Sequence, residues 1–292
     1  MEPIPFDKRS GKIWYNGEII NWPDAKIHIL SHGLHYASCV FEGERVYDGK
    51  IFKLEEHTER LFHSASRLGF EIPYSKESLN KSCKDIVAVQ KVKNGYVRPV
   101  VWRGSEMMAI SAQKTKIHVA IATWEWGSYF DPNLKLKGIK LNISKWRRPA
   151  PNTIPWDTKA SGLYMICTLS KHEAEKNGFT DSLMLDYQDN IAEATGANVF
   201  FKNSKGELHT PIPDSFLDGI TRRSIIEIAK SKNIKIIERK IKPEELSNFT
   251  GCFLTGTAAE VTPVSQIDKY TFEVCDVIKD LSESYHSLVR KK

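Results

Sequence analysis

A lysine, an acid and two glycine-bearing turns are where this 292-residue chain could do chemistry. Lys159 follows the loop NTIPW and leads into Ala160, Ser161 and Gly162, small residues that predict the opening of a helix. A lysine hemmed by small and apolar neighbours loses hydration, which lowers an ammonium pKa towards what an amine nucleophile or a Schiff-base lysine needs. Taken alone, the same residue reads equally well as a solvated surface lysine. Asp218-Gly219-Ile220-Thr221 stands just ahead of a helical run, so free N–H groups and a hydroxyl gather at the positive end of a helix dipole, a ready phosphate site. Gly256-Thr257-Ala258 directly follows a strand-like run and offers exposed amides to a carboxylate or phosphate. Singly, each turn is as readily an ordinary N-cap or strand exit. A lysine, an acid and two anion-receiving turns together point to an anionic carbonyl cofactor.

Other motifs are weaker. His32 and His35 in SHGLHY are three apart, but no third ligand at metal-like spacing accompanies them, so no metal is expected. Ser78-x-x-Lys81 matches an acyl-enzyme pattern of only two fixed positions, with no partner motif. Neither GxxxxGK[ST] nor GxGxxG after a strand occurs, which disfavours nucleoside-triphosphate and dinucleotide binding.

The elements that must position these residues alternate between strand and helix. IWYNGEIINW and RVYDGKIFKL alternate around Asn16-Gly17 and Asp48-Gly49, which predicts two type I′ hairpins. LEEHTERLFHSASRLG puts Leu54, Leu61, Ala65 and Leu68 on one helical face, with Gly69 as the stop. A second helix is expected around Lys76 to Val92, then strands in YVRPVVW and KIHVAIATW. WEWGSYFDPNLKL is punctuated as a connection between two domains. Beyond it come a strand (KGIKLNIS), a helix (SGLYMICTLSKHEAEKNG), a strand (SLMLDY), a hairpin (NVFFKNSKGELHTP), a helix (TRRSIIEIAKSK), a strand (IKIIERKI), CFLT and a helix from Phe272 to Val289. That mixture predicts α+β rather than a doubly wound sheet. The expected domains are 1–124, a connection over 125–136, and 137–292.

Composition narrows the classes. Hydrophobic residues are 41% and charged residues 27%, which is globular composition and not that of a disordered chain or fibre. The charge of +6, from 42 basic and 36 acidic residues, is spread without a basic tract, so no nucleic-acid partner is expected. Apolar runs are too short to cross a bilayer, and MEPIPFDKRSGK has no apolar core of a secretory signal, so no membrane partner and a cytoplasmic location are expected. Five scattered cysteines without a CxxC pair read as free thiols.

KASG at Lys159, AEATGANVF around Glu193, GITR at Gly219 to Arg222 and GTAAEVTPV from Gly256 resemble the class IV (fold-type-IV) pyridoxal-phosphate aminotransferases. HGLHYASCVFEGERVYDG and LEEHTERL extend the resemblance over nearly the whole chain. Within that class, Tyr96-Val97-Arg98-Pro99 and Trp126-Gly127-Ser128-Tyr129 resemble the branched-chain-amino-acid aminotransferases. D-amino-acid aminotransferase and aminodeoxychorismate lyase are the alternatives of the same fold.

The resemblance implies a two-domain α+β fold, with a smaller N-terminal domain, a larger C-terminal domain with a β-rich core, and pyridoxal 5′-phosphate in the cleft between them. It implies transamination between L-leucine, L-isoleucine or L-valine and 2-oxoglutarate. Lys159 would be the catalytic residue, holding the cofactor as an internal aldimine and shuttling the proton. Glu193 would face the pyridine nitrogen and Tyr164 the phenolic oxygen. Arg60, Leu217, Gly219, Ile220, Thr221, Gly256 and Thr257 would complete the cofactor site, with the phosphate on Arg60, the helix start and Thr257. Read without the resemblance, Arg60 is a helix-surface arginine paired with Glu56 one turn away. Tyr36, Phe41, Gly43, Trp126, Tyr129 and Ala258 would wall the substrate, and Tyr96 with the turn at Thr257 and Ala258 would receive the α-carboxylate. Arg98 would meet the distal carboxylate of glutamate. Met108 and Ile110 match positions on a loop that reaches the partner subunit's pocket, so a homodimer or a higher homo-oligomer is implied. The loop from Arg103 to Gln113 lacks the glycine- and proline-rich form common in branched-chain enzymes, and Trp124-Glu125-Trp126 is bulkier than usual.

Overall fold

Asn16 and Gly17 both take positive φ (49° and 99°), as do Asp48 and Gly49 (49° and 81°), the two-residue turn whose twist suits a hairpin. These turns belong to a computed structural model that describes residues 4–127, 129–130 and 137–291. Of the connection expected over 125–136, Ser128 and residues 131–136 lie outside the described residues. The chain forms two compact units, Met1–Gly127 with Thr158–Gly162, and Ser128–Asp157 with Leu163–Lys292.

The first unit is an antiparallel sheet backed by helices. Its strands are β1 (Lys12–Tyr15), β2 (Glu18–Asn21), β3 (Cys39–Phe41), β4 (Glu44–Tyr47), β5 (Lys50–Ile51), β6 (Gly95–Arg103) and β7 (Ile117–Glu125). They run in the order β2-β1-β7-β6-β4-β5, with β3 paired to β6. A short helix α1 (His32–Tyr36) precedes β3, and α2 (Leu54–Arg67) and α3 (Lys76–Val89) follow β5. The face of α2 expected from periodicity is buried at Leu54, Leu61 and Ala65, and Leu79, Cys83, Ile86 and Val87 of α3 are buried with it. Each large apolar side chain removed from water contributes about 1.5–3 kcal/mol. Gly69 at φ 72° stops α2, and the Ser75 hydroxyl caps α3 by accepting from the Ser78 N–H.

The second unit holds β8 (Ile139–Arg147), β9 (Asp181–Leu185), β10 (Ile191–Ala194), β11 (Asn198–Asn203), β12 (Leu208–Thr210), β13 (Ile236–Glu238), β14 (Phe249–Gly256), β15 (Glu260–Ile267) and β16 (Tyr270–Thr271). The order is β10-β9-β8-β15-β14-β11-β12-β13, and β10 also pairs with β11. The run from β10 round to β11 therefore closes on itself. Alternate residues such as Leu141, Leu183, Leu185, Val199, Phe201, Leu254 and Val264 fill one buried cluster. Helices α4 (Met165–Lys176), α5 (Ile220–Ser231) and α6 (Asp276–Val289) complete it. The architecture is α+β, as expected.

Two elements differ from expectation. Lys159 does not open a helix: its carbonyl accepts from the Phe41 N–H at 3.1 Å and Ala160 bridges Val40, so an open strand edge takes up this backbone. Helical structure starts as a 3-10 turn at Ser161–Tyr164 and becomes α4 only at Met165. At the other end α6 begins at Asp276 rather than Phe272, because the Phe272 N–H is donated to the Ser265 carbonyl. Among the described residues, no helix is long and apolar enough to cross a membrane.

Candidate active site

In the first unit the backbone of Lys159 is held on both sides. Its N–H donates to Ser64 Oγ on α2 at 3.0 Å, and its C=O accepts from Phe41 at the end of β3. The ammonium lies 4.9 Å from the centre of the Phe41 ring. Burial first, and then the nearby Arg60 guanidinium, lower its pKa from 10.5 to about 8. The desolvated lysine expected from its small neighbours is present, with an aromatic ring against its ammonium.

Phe41 faces a second cation. The Arg98 guanidinium lies 4.6 Å from the Phe41 ring and 5.3 Å from that of Tyr96. Tyr96 and Arg98 alternate onto the same face of β6 and stand opposite Trp124 and Ala122 of β7. Trp126 meets Tyr96 edge-on at 4.8 Å. Gly43 is required here, since a Cβ would stand 1.8 Å from Tyr96 Oη. Arg98 and Trp126 also line a cavity of about 860 Å³ with Ile13, Trp22, Ala122 and Trp124.

Arg60 on α2 reaches Glu42, not its helix neighbour. Its Nε and Nη2 donate to the two carboxylate oxygens of Glu42 at 2.6 and 2.9 Å, while Glu56 pairs with Lys53 at 2.9 Å. His57 Nδ1–H adds a third donor to Glu42 at 2.7 Å. Burial alone would push the Glu42 carboxyl up; Arg60 and His57 overcome it and hold it ionised, while burial keeps His57 neutral. Two residues on, Glu44 is also buried, but burial and then the Glu42 charge push its pKa well up. Its Oε2 has no hydrogen-bond partner among the described residues. The acids in VFEGERVY, an otherwise apolar strand run, were the readable signal for this network, because buried carboxylates demand partners.

Tyr36, Met108 and Ile110 are 42%, 41% and 83% exposed. Buried His32 ties their segments together: its N–H donates to the Gly104 carbonyl at 2.8 Å, and its ring Nε2 to the Ala109 carbonyl at 2.9 Å.

In the second unit a tight hairpin sets Glu193 on β10 opposite Asn198 on β11. Arg148 is buried with its Nε 3.4 Å from Glu193 Oε1, and its Nη1 donates to the Leu163 carbonyl at 3.3 Å. The Asn198 amide donates to Glu193 Oε2 at 3.4 Å and to the Leu217 carbonyl at 2.9 Å, and its Oδ1 accepts from the Gly219 N–H at 3.1 Å. Gly219 is the N-cap of α5, with Ile220 and Thr221 buried in its first turn; the first N–H groups of a helix have no partner within it. Arg222 secures this start, donating to Asp218 and Glu238. Asn198 also pairs across the ladder with Thr255 of β14, whose exit is the turn Gly256-Thr257-Ala258. A Cβ on Gly256 would lie 3.3 Å from the Gly196 carbonyl, so that turn packs closely on the Glu193 hairpin. Tyr164 stands at the N-cap of α4, and Tyr129 is exposed, with its ring edge on buried Phe130. Arg148 and Asn198 were not foreseen. Asn198 had one readable signal, a small polar residue opening the apolar run NVFF; Arg148 had none.

Residues 39–267 match the family model described as Amino-transferase class IV. The chain belongs to the class IV aminotransferases. This family is dependent on pyridoxal 5′-phosphate, and the present residues suit that group: a half-buried lysine of lowered pKa, a buried carboxylate, and a helix start with no side-chain cap on its first N–H groups. The chain is 42% identical to a probable branched-chain-amino-acid aminotransferase of Rickettsia felis, over all of both sequences. It is 38% identical to the branched-chain-amino-acid aminotransferase of Escherichia coli, covering 89% of this chain and 86% of that one. Among solved structures it is similar to the branched-chain aminotransferase of the thermophilic archaeon Thermoproteus uzoniensis with norvaline. There the TM-score is 0.91 at 32% identity, over 96% of this chain and 95% of that one.

Proposed function

We propose that this class IV aminotransferase exchanges the amino group between L-leucine, L-isoleucine or L-valine and 2-oxoglutarate, as a cytoplasmic homodimer. Bound pyridoxal 5′-phosphate supplies an aldehyde that receives the amino group and a ring that accepts the electrons released at the substrate α-carbon. Lys159 would be the amine that holds this group and the base that moves the substrate's α-proton. At a pKa of about 8 roughly half of it is neutral at pH 8, whereas an ordinary lysine is almost wholly charged there. Glu193 would keep a proton on the pyridine nitrogen, and Tyr164 would donate to the phenolic oxygen. Arg60, the first turn of α5 at Gly219, Ile220 and Thr221, and the turn at Gly256 and Thr257 would hold the phosphate, and Leu217 would complete the cofactor residues.

The observation that carries the substrate reading is the setting of Arg98, stacked on Phe41 and Tyr96 beside Lys159. An apolar wall with a cation on its surface accepts an aliphatic chain, and accepts a glutamate carboxylate without leaving it unpaired. Tyr96 with Thr257 and Ala258 receives the α-carboxylate; Gly43, Trp126 and Tyr129 complete the wall. Ile27, Ile29, Leu30 and Leu34 are exposed on and just before α1, the helix that carries Tyr36, an apolar surface that a second copy of the chain would cover. Met108 and Ile110 then serve the partner's pocket, and Tyr36 belongs to the substrate wall.

The test is a half-reaction without an acceptor. Cofactor-loaded protein should lose its visible absorbance band with L-leucine and with L-glutamate, and keep it with D-alanine. Loss with D-alanine alone overturns the substrate reading.

A further inference from the structure

We infer that Asn198 is a positioning residue that sets the spacing between the two ends of the cofactor site, the carboxylate for the pyridine nitrogen and the helix start for the phosphate. The inference rests on the roles proposed above for Glu193 and for Gly219 to Thr221. One buried amide joins both. Its N–H groups reach Glu193 Oε2 (3.4 Å) and the Leu217 carbonyl (2.9 Å), and its oxygen accepts from the Gly219 N–H (3.1 Å). The fit leaves no slack, since a Cβ on Gly219 would stand 2.2 Å from Asn198 Oδ1. The backbone of Asn198 is pinned as well, opposite Glu193 on one side and Thr255 on the other. Side chain and ladder thus relate β10, the start of α5 and the exit of β14 through one residue. A side-chain amide can donate twice and accept, a combination that neither a hydroxyl nor a carboxylate offers with the same shape.

A spacer of this kind has a signature distinct from that of a general structural residue. A ligand held at both ends gains from having the second contact already aligned, whereas a ligand held at one end does not. Asn198→Ala should therefore weaken binding of pyridoxal 5′-phosphate by roughly 10- to 100-fold, the scale lost when a residue that orients ligand-holding groups is removed. Inorganic phosphate and unphosphorylated pyridoxal, each measured alone, should change by less than about 3-fold, since neither depends on the spacing. Asn198→Ser, neutral and too short to span from Glu193 to Gly219, serves if the alanine variant does not fold; it should show the same pattern. Dissociation constants by calorimetry on the full chain, with thermal melting of each variant, give the readout without turnover. Equal losses for all three ligands, or unchanged affinity for pyridoxal 5′-phosphate in a variant that folds, would overturn the inference while the parental binding stands. A parent protein that takes up no pyridoxal 5′-phosphate would sink the functional reading and this inference with it.

Discussion

Each unit buries an arginine–glutamate pair, and the two are built differently. In the first, Arg60 grips Glu42 through two short hydrogen bonds, with His57 as a third donor. In the second, Arg148 and Asn198 both stand 3.4 Å from Glu193. A carboxylate saturated by short charged bonds is scaffold: it fixes the plane of the arginine, which is the group offered to a ligand. Around Glu193 these two contacts are longer, and Asn198 ties the carboxylate to the start of α5 through the Leu217 carbonyl and the Gly219 N–H. Under the proposed function the Glu42 pair is scaffold, and Glu193 serves the cofactor directly.

Substitutions can break that contrast. Glu193→Gln should lower kcat by roughly 10²- to 10³-fold while changing stability by about 1 kcal/mol. Glu42→Ala should invert the pattern, at a cost of about 3–5 kcal/mol of unfolding free energy, because Arg60 and His57 lose a buried partner. Turnover of that loaded variant should fall far less than in Glu193→Gln; denaturant titration with steady-state kinetics checks both. If Glu42→Ala abolished turnover in a stable protein, or Glu193→Gln mainly lowered stability, the contrast would be wrong.

Glu44 sharpens it at a smaller scale, being a buried acid two residues from Glu42 with an unpartnered Oε2 among the described residues. Its folded pKa is raised above the ordinary 4.5, so the folded state retains a proton that the unfolded chain releases. Its contribution to stability therefore falls as pH rises from about 4.5 to the raised folded value, by about 1.4 kcal/mol per pH unit. Glu44→Gln, which cannot titrate, should remove that slope, and melting from pH 4 to 8 would show the variant gaining on the parent as pH rises. Parallel curves would mean that Glu44 is already ionised.

The local signals in the sequence served the fold well. Asn-Gly and Asp-Gly, the spacing of Leu54, Leu61 and Ala65, and the glycine after α2 each act within a few residues, so physics and position coincide. What was not legible depends on distant pairings. Arg60 and Glu42 lie 18 residues apart, and the nearer Glu56 was the obvious partner. The small residues after Lys159 favour a helix start, but the edge of β3, far earlier in the chain, takes its backbone instead. The β10–β11 hairpin that sets Asn198 opposite Glu193 is local, but its turn carries neither Asn-Gly nor Asp-Gly, the dipeptides that mark the first two hairpins. The roles of Glu193 and Tyr164 came from family resemblance, since nothing in their spacing alone distinguishes them.

The central claim is that Lys159, and no other lysine, carries the cofactor. Borohydride reduction of the protein loaded with pyridoxal 5′-phosphate, followed by digestion and mass spectrometry, fixes the group to whichever side chain it was attached. The account predicts a single phosphopyridoxyl group on the peptide containing Lys159. Its appearance on another lysine, or on none, would contradict the account directly.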